Sequence, residues 1–395
     1  MATVLAVWEL GGGLGHLYPL KLVASELCRA GHRVILVLRE TAQAPSLLRD
    51  LPVQYFQAPA KHRVTSTRID PPTTYAHLLH NIGWGEAEEL AGLYHSWQTI
   101  LDLVKPDVVV ADHSPTPLLA LRGRGIPVVT IGTGFCSPPA SSPLPKVRPW
   151  VKGDDASWLE HEQRLCEQVN QLLERNHQPV LGMLSDLFAE VTTEILTTFP
   201  ELDHFGPRTS GNFWGCYPSG AATVAHWPRA AGPKVYAYLT AIPDRESYLK
   251  TLAQLGFPTI AVAGPVSSTL QQQLRGSSVH LATSPINVEQ VASESDLVVN
   301  YAGHGVSALA LLAGKPLLQI PISVEQFLLA SRVAKLGAGI FIPSGNQTAF
   351  ASALHSLVHQ PSFREKAESF AQLHADHRPQ ELARRIAAHL GSLLS

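Results

Sequence analysis

The chain has 395 residues, enough for two domains with a core each at ~100–200 residues per domain. Thirty Lys and Arg against 32 Asp and Glu leave a net charge of −2, which excludes a nucleic-acid binder that relies on bulk positive charge. Charged residues are 16% of the chain, against roughly 25% in an average soluble protein. With 45% hydrophobic residues, that excludes a disordered or coiled-coil chain and implies large buried elements joined by turns.

The four cysteines (Cys28, Cys136, Cys166 and Cys216) form no C-x-x-C pair, so neither a zinc ribbon nor a disulfide framework is expected. Met1 to Val7 has no basic segment and reads as a first strand rather than a signal peptide. No apolar run reaches the ~18–20 residues that cross a bilayer, and a cytoplasmic protein is expected.

In chain order, a strand Val4–Trp8 leads into Gly11-Gly12-Gly13-Leu14-Gly15-His16 and a helix from about Pro19 to Ala30, closed by Gly31. Strands at Val34–Leu38 and Val53–Phe56 follow, then a helix from about Thr74 to Val104. Lys105-Pro106-Asp107 breaks into a fourth strand, Val108–Ala111, and Val128–Ile131 makes a fifth. Continuous apolar strands separated by helices indicate a parallel sheet covered on both faces. Residues 137–150 carry five prolines and read as an irregular loop before a helix of about 157–174. Thr198–Phe205, followed by Asn212–Gly215, fits the last strand and hinge of the first domain. Residues 205–233 are the best linker.

The alternation then restarts, with strands at Val235–Leu239, Thr259–Ala263, Val279–Leu281, Leu297–Asn300 and Leu317–Ile320. A last helix spans about 379–394. The reading is α/β, two Rossmann-like α/β/α domains: an N-terminal domain over 1–210, a hinge over 211–233, a C-terminal domain over 234–375, and a terminal helix in 376–395 that packs back on the N-terminal domain.

The strongest local signal is Asn300-Tyr301-Ala302-Gly303-His304-Gly305-Val306, which follows a strand and opens a helix. Glycines let backbone approach a ligand, and the helix start offers unpaired N–H groups and a positive dipole end, a cradle for a diphosphate. An unliganded strand–helix turn has the same local pattern. Gly314-Lys315-Pro316, a strand to Ile320-Pro321, Glu325-Gln326 and Gly337-Ala338-Gly339 follow in fixed order. The stretch Val298–Gly339 resembles the nucleotide-sugar-binding segment of the UDP-glycosyltransferases and the macrolide-type glycosyltransferases of the GT-B fold. It departs from the family pattern at Tyr301, where the family has the turn's His, at Ala302, where it has the first Gly, and at Leu309, where some members have an acidic residue.

The resemblance implies two domains facing across a cleft, with a UDP- or dTDP-sugar as co-substrate rather than a resident cofactor. It places the diphosphate on Gly303, His304, Gly305, Val306 and Ser307, with Tyr301 hydroxyl or His304 left to meet the phosphate. The base falls near Ser284–Asn287, including Ile286. Glu325 and Gln326 then hold sugar hydroxyls, although an isolated Glu-Gln pair is also an ordinary solvated helix start.

The N-terminal loop lacks the third glycine of a dinucleotide fingerprint, because His16 stands there. Gly13 and Gly15-His16-Leu17-Tyr18-Pro19 instead resemble the Gly-His…Pro start of the same glycosyltransferases, whose His is the catalytic base in many members, and the glycine-rich start of the N-acetylglucosaminyltransferase that makes lipid II; the resemblance makes Gly13 and Gly15 donor-binding residues. A base of this kind needs a carboxylate to fix its tautomer. Asp112, at the end of the fourth strand, is the expected partner, with capping of the helix after Pro115 its other role.

The acceptor is expected on Lys61–Trp84 and Gly134–Trp158, where Tyr75, Trp84 and Phe135 stack on it or plug the core, with His113 a further candidate. No metal is expected, because a helix end can neutralise a leaving diphosphate. The expected activity is inverting sugar transfer to a small-molecule or lipid-like acceptor, with no nucleic-acid partner and a membrane role only for a lipid acceptor. A non-catalytic nucleotide-sugar-binding protein and a sugar-nucleotide epimerase are the alternatives.

Overall fold

The computed structural model describes every residue except 63, 65, 66, 209, 221, 222 and 395. Residues 63, 65 and 66 of the expected acceptor loop and 221 and 222 of the expected hinge therefore lie outside the described residues. The chain divides into two compact units. The first holds residues 1–199, 207–215 and 381–395, and the second holds 200–206 and 216–380. Each is built on a six-stranded parallel sheet.

In the first unit the strands are β1 Thr3–Trp8, β2 Arg33–Leu38, β3 Gln54–Gln57, β4 Val108–Asp112, β5 Val128–Gly132 and β6 Thr193–Leu196, in the order β3-β2-β1-β4-β5-β6. The central strands β1, β2 and β4 are almost wholly buried, which is why they read as unbroken apolar runs. Edge strand β3 is exposed throughout and gives the weaker signal. Strand order reverses between β1 and β4, and their register sets Trp8 beside Asp112 at the carboxyl edge, where ligands bind in open α/β sheets.

In the second unit the strands are β7 Val235–Tyr238, β8 Thr259–Val262, β9 Val279–Leu281, β10 Leu297–Asn300, β11 Leu317–Gln319 and β12 Gly339–Phe341, ordered β12-β11-β10-β7-β8-β9. The reversal falls between β7 and β10, where Tyr238 is in register with Asn300. Val235, Leu239, Leu249, Val299, Leu318 and Phe350 are among the buried side chains of its core.

Several elements differ from the sequence reading. The first helix begins at Leu14, not Pro19, so Pro19 lies inside it and His16 on its first turn. The helix expected over Thr74–Val104 is broken at Gly83, whose φ of 124° no helix accommodates; the long helix proper is Ala87–Val104. The last strand of the first unit is β6, a few residues before the Thr198–Phe205 segment. Its mixed sequence, Thr-Glu-Ile-Leu, carries little strand signal. Residues 207–215 belong to the first unit and 216–233 to the second, where Ser219 donates from N and Oγ to the Glu289 carboxylate and Asn287 N donates to Thr223 O. The helix Leu382–Ser392 packs in the first unit against Leu14–Arg29, burying Leu382, Ile386 and Leu390. No described helix is long and apolar enough to cross a membrane.

Candidate active site

The first unit gathers a polar cluster where the sheet reverses. The loop after β1 is pinned by Leu10 N donating to His113 O at 3.0 Å and by Gly13 N donating to the Glu40 carboxylate at 3.2 Å. His16 folds back over Gly11, where a Cβ would lie 2.3 Å from Nε2; only glycine leaves the ring that place. Trp8 stacks on the imidazole at 5.2 Å and 18°. His16 Nδ1 lies 2.9 Å from Asp112 Oδ2, with side-chain exposures of 12% and 4%. The Asp112 carboxylate thus meets His16. Ser114, not Asp112, is the N-cap of the helix Pro115–Leu121. A carboxylate on Nδ1 selects the tautomer that donates there and leaves the lone pair on Nε2, the arrangement a general base requires.

His113 is buried, with φ of 44°, and its ring lies 6.0 Å from that of His16 and 5.8 Å from Phe135. Burial, then the nearby His16 and Arg39, push its imidazole down to about 3. His113 therefore stays neutral and adds no charge next to His16. Tyr75, Trp84, Phe135 and His113 do not offer open faces to an acceptor. Tyr75 packs edge-on against Phe135 and Phe188, and Trp84 Nε1 donates to Thr116 Oγ1 at 3.0 Å. Both rings are fully enclosed, because breaking the long helix at Gly83 turns this segment into the core.

One neighbour escaped sequence reasoning. Glu9, the residue after β1, is buried and accepts a hydrogen bond from Thr116 N at 2.8 Å, and burial pushes its carboxyl up to about 7. A glutamate closing an apolar strand is the signal that could have found it.

In the second unit the turn after β10 opens the helix His304–Leu312. Gly303 is its N-cap without a side-chain cap, and the first backbone N–H groups of the helix point out of its N-terminal end. The turn is held from behind. Ser307 Oγ donates to Gly303 O at 2.8 Å and accepts from Asn300 Nδ2 and Gln319 Nε2 at 3.1 and 3.0 Å, all three side chains being buried. Ser307 N is bonded to Gly303 O as well. Ser307 thus supports the turn, and Asn300 and Gln319 join it as supports the sequence did not single out. Their polarity inside otherwise apolar strands was the available sign.

Tyr301 lies against Gly303 and 5.6 Å from the Tyr238 ring, packed on the core of this unit. Burial, then Tyr238, raise its phenol to about 12, so it remains a hydrogen-bond donor. His304 lies 6.5 Å from His204, and burial lowers it to about 4, leaving it neutral. In the helix Val324–Leu336, Ser323 Oγ accepts from Gln326 N, and Gln326 Oε1 accepts from Ile322 N at 2.9 Å. The Gln326 carbonyl oxygen thus serves the helix start, close to a capping box, while Glu325 stands half-buried in the same first turn. Ile286 is buried and bridges to Thr223; its side chain is part of the packing.

Residues 276–389 match the family described as "Erythromycin biosynthesis protein CIII-like, C-terminal domain". A "PGL/p-HBAD biosynthesis glycosyltransferase" of Mycobacterium tuberculosis is 25% identical over 306 residues, covering 69% of this chain and 68% of that protein. "UDP-sugar-dependent glycosyltransferase 52" of Dictyostelium discoideum is 29% identical over 109 residues, which are 27% of this chain and 6% of that much longer one. Among solved structures, the glycosyltransferase VinC in complex with dTDP aligns over 99% of both chains with a TM-score of 0.67 at 17% identity. These matches do not favour a non-catalytic binding protein or an epimerase. The C-terminal segment is thus similar to that family, the mycobacterial glycosyltransferase is similar over about two thirds of both chains, and the fold is the two-sheet GT-B fold of the solved glycosyltransferase.

Proposed function

We propose that this protein moves a sugar from a UDP- or dTDP-sugar to a small-molecule or lipid-like acceptor, with inversion at the anomeric carbon and without a metal, in the cytoplasm. The observation that carries the reading is the His16–Asp112 pair, 2.9 Å apart at the point where strand order reverses. His16 Nε2 takes the proton from the acceptor hydroxyl or amine as it attacks. Asp112 holds the tautomer and stabilises the imidazolium that forms. The donor diphosphate lies on the N–H groups of His304, Gly305 and Val306, whose dipole end offsets the charge that grows on the leaving group. Tyr301 hydroxyl lies beside that turn, 3.6 Å from where a Cβ on Gly303 would fall. The Glu325 carboxylate and the Gln326 amide nitrogen hold sugar hydroxyls, and the base lies along the backbone of 284–287. Gly13 and Gly15 keep the rim of the His16 loop free of side chains.

The test is release of nucleoside diphosphate from a panel of sugar nucleotides with an acceptor library. His16→Ala is expected to lower kcat by about 10²–10⁴-fold while donor affinity by calorimetry stays within about twofold. Wild-type turnover in that variant would rule out the base assignment.

A further inference from the structure

Cys136 takes no part in the reaction described above, yet its Sγ belongs to the same cluster. One nitrogen of His16, one carboxylate oxygen of Asp112 and Cys136 Sγ all lie within 4.8 Å of one another. Cys136 and Asp112 are buried, and His16 is partly open. Nδ1, already bonded to Asp112, is the ring atom on the carboxylate side. The space beside them is kept by Gly132, where a Cβ would fall 3.2 Å from both Asp112 Oδ1 and Cys136 Sγ. The turn that carries Cys136 is rigid: its N and that of Ser137 both donate to Thr133 O.

Nitrogen, oxygen and sulfur ligands with a fourth position left open make the donor set of a tetrahedral zinc site. Around zinc, at about 2.0–2.3 Å per bond, such ligand atoms stand about 3.3–3.8 Å apart. The His16–Asp112 pair at 2.9 Å therefore opens slightly, while Cys136 Sγ, within 4.8 Å of both, has about an ångström at most to close. One thiolate and one carboxylate would also neutralise a divalent ion, which suits a buried site.

We propose that His16, Asp112 and Cys136 form a binding site for a thiophilic divalent cation such as zinc, and that the ion shuts off the enzyme. The switch, though not the site, rests on the reading of His16 as the base. A metal on Nδ1 displaces the proton that Nδ1 shared with Asp112. That proton moves to Nε2, the thiol proton leaves to solvent, and Nε2 no longer has a lone pair for the acceptor. Two of these side chains, His16 and Asp112, thus serve transfer without metal, and Cys136 joins them only to hold the ion that silences it.

Cobalt(II) titration of the full chain, freed of metal and kept reduced, tests the site without any assay of activity. A thiolate-to-cobalt charge-transfer band in the near ultraviolet is expected to saturate at one equivalent and to vanish in Cys136→Ser and Cys136→Ala. In the transfer assay, zinc is expected to inhibit the wild type reversibly, with chelator restoring it. Both variants should keep their metal-free rate within about twofold and need at least tenfold more zinc for half-inhibition. Two variants are used so that loss of the thiol is separated from a packing defect. Absence of the band, or a band that persists in both variants, overturns the site. Equal zinc sensitivity of wild type and variants overturns the switch. A Cys136-dependent band in an enzyme that zinc leaves fully active also overturns the switch and counts against His16 as the base, while the site stands.

Discussion

Glu9 shows how a single buried group can set a pH dependence. Its carboxylate accepts from Thr116 N, Arg39 Nη1 donates to its backbone carbonyl at 2.9 Å, and Thr116 Oγ1 in turn holds Trp84. Burial raises the carboxyl from 4.5 to about 7. The folded protein therefore holds a proton between those values that the unfolded chain has lost, and this group makes stability fall as pH climbs through that window. Glu9→Gln keeps an acceptor for Thr116 N–H and removes the ionisation. Urea denaturation should show the variant more stable than wild type above pH 7, by up to about 3 kcal/mol, and equal to it near pH 4.5. A wild-type advantage at pH 8 would contradict the assignment. His16 and Asp112 were legible at this scale because their residue types and the strand ends that bear them are written in the chain. Trp8, Gly11, Glu9 and Cys136 were not, since each matters through what folding puts beside it.

At the scale of an element, the turn between β10 and the helix His304–Leu312 departs from the family pattern at Ala302. Its φ is 61°, the left-handed region, where a Cβ costs roughly 1–2 kcal/mol. The backbone is held there by Ala302 N donating to Asn300 Oδ1 at 2.7 Å, a bond that glycine would keep. Against the strain relieved, glycine adds about 0.4–1 kcal/mol of unfolded-chain entropy. Ala302→Gly is thus expected to raise stability by about 0.5–1 kcal/mol, read as a shift in denaturation midpoint at unchanged m-value. A loss of stability would mean that the alanine methyl, itself buried, contributes more by packing than the strain costs. The Glu325-Gln326 pair illustrates a second point. Its spacing after Pro321 was readable, but the use of the Gln326 carbonyl oxygen at the helix start depended on Ser323 lying three residues before it in a cap. The acceptor aromatics failed for a related reason: a stretch that reads as one long helix is broken by a glycine, and the break sends Tyr75 and Trp84 inward.

Across the described residues, burial lowers four histidines: His77, and more strongly His113, to about 3, and His161 and His304, each to about 4. Each binds its proton more weakly when folded than the ordinary 6.5 of an unfolded chain, so each makes stability fall as pH drops below about 6.5. Together they outweigh the opposite trend of Glu9. The melting temperature is expected to drop between pH 7 and pH 5, and a flat or rising Tm over that range would refute the sum. Two α/β units and a parallel sheet in each were determined by the sequence alone, because buried strands must be apolar along their whole length and helices must alternate with them. The glycine turn before His304 was legible for the same local reason, a strand ending and a helix beginning within a few residues. Only the tertiary structure decided the division of 200–233 between the units, which helix of the first unit the last helix lies against, and the place of Cys136 beside the His16–Asp112 pair. Those depend on contacts between residues some twenty to several hundred positions apart, and a chain shows such pairs only once its sheets have brought the ends of β1, β4 and β5 to one edge.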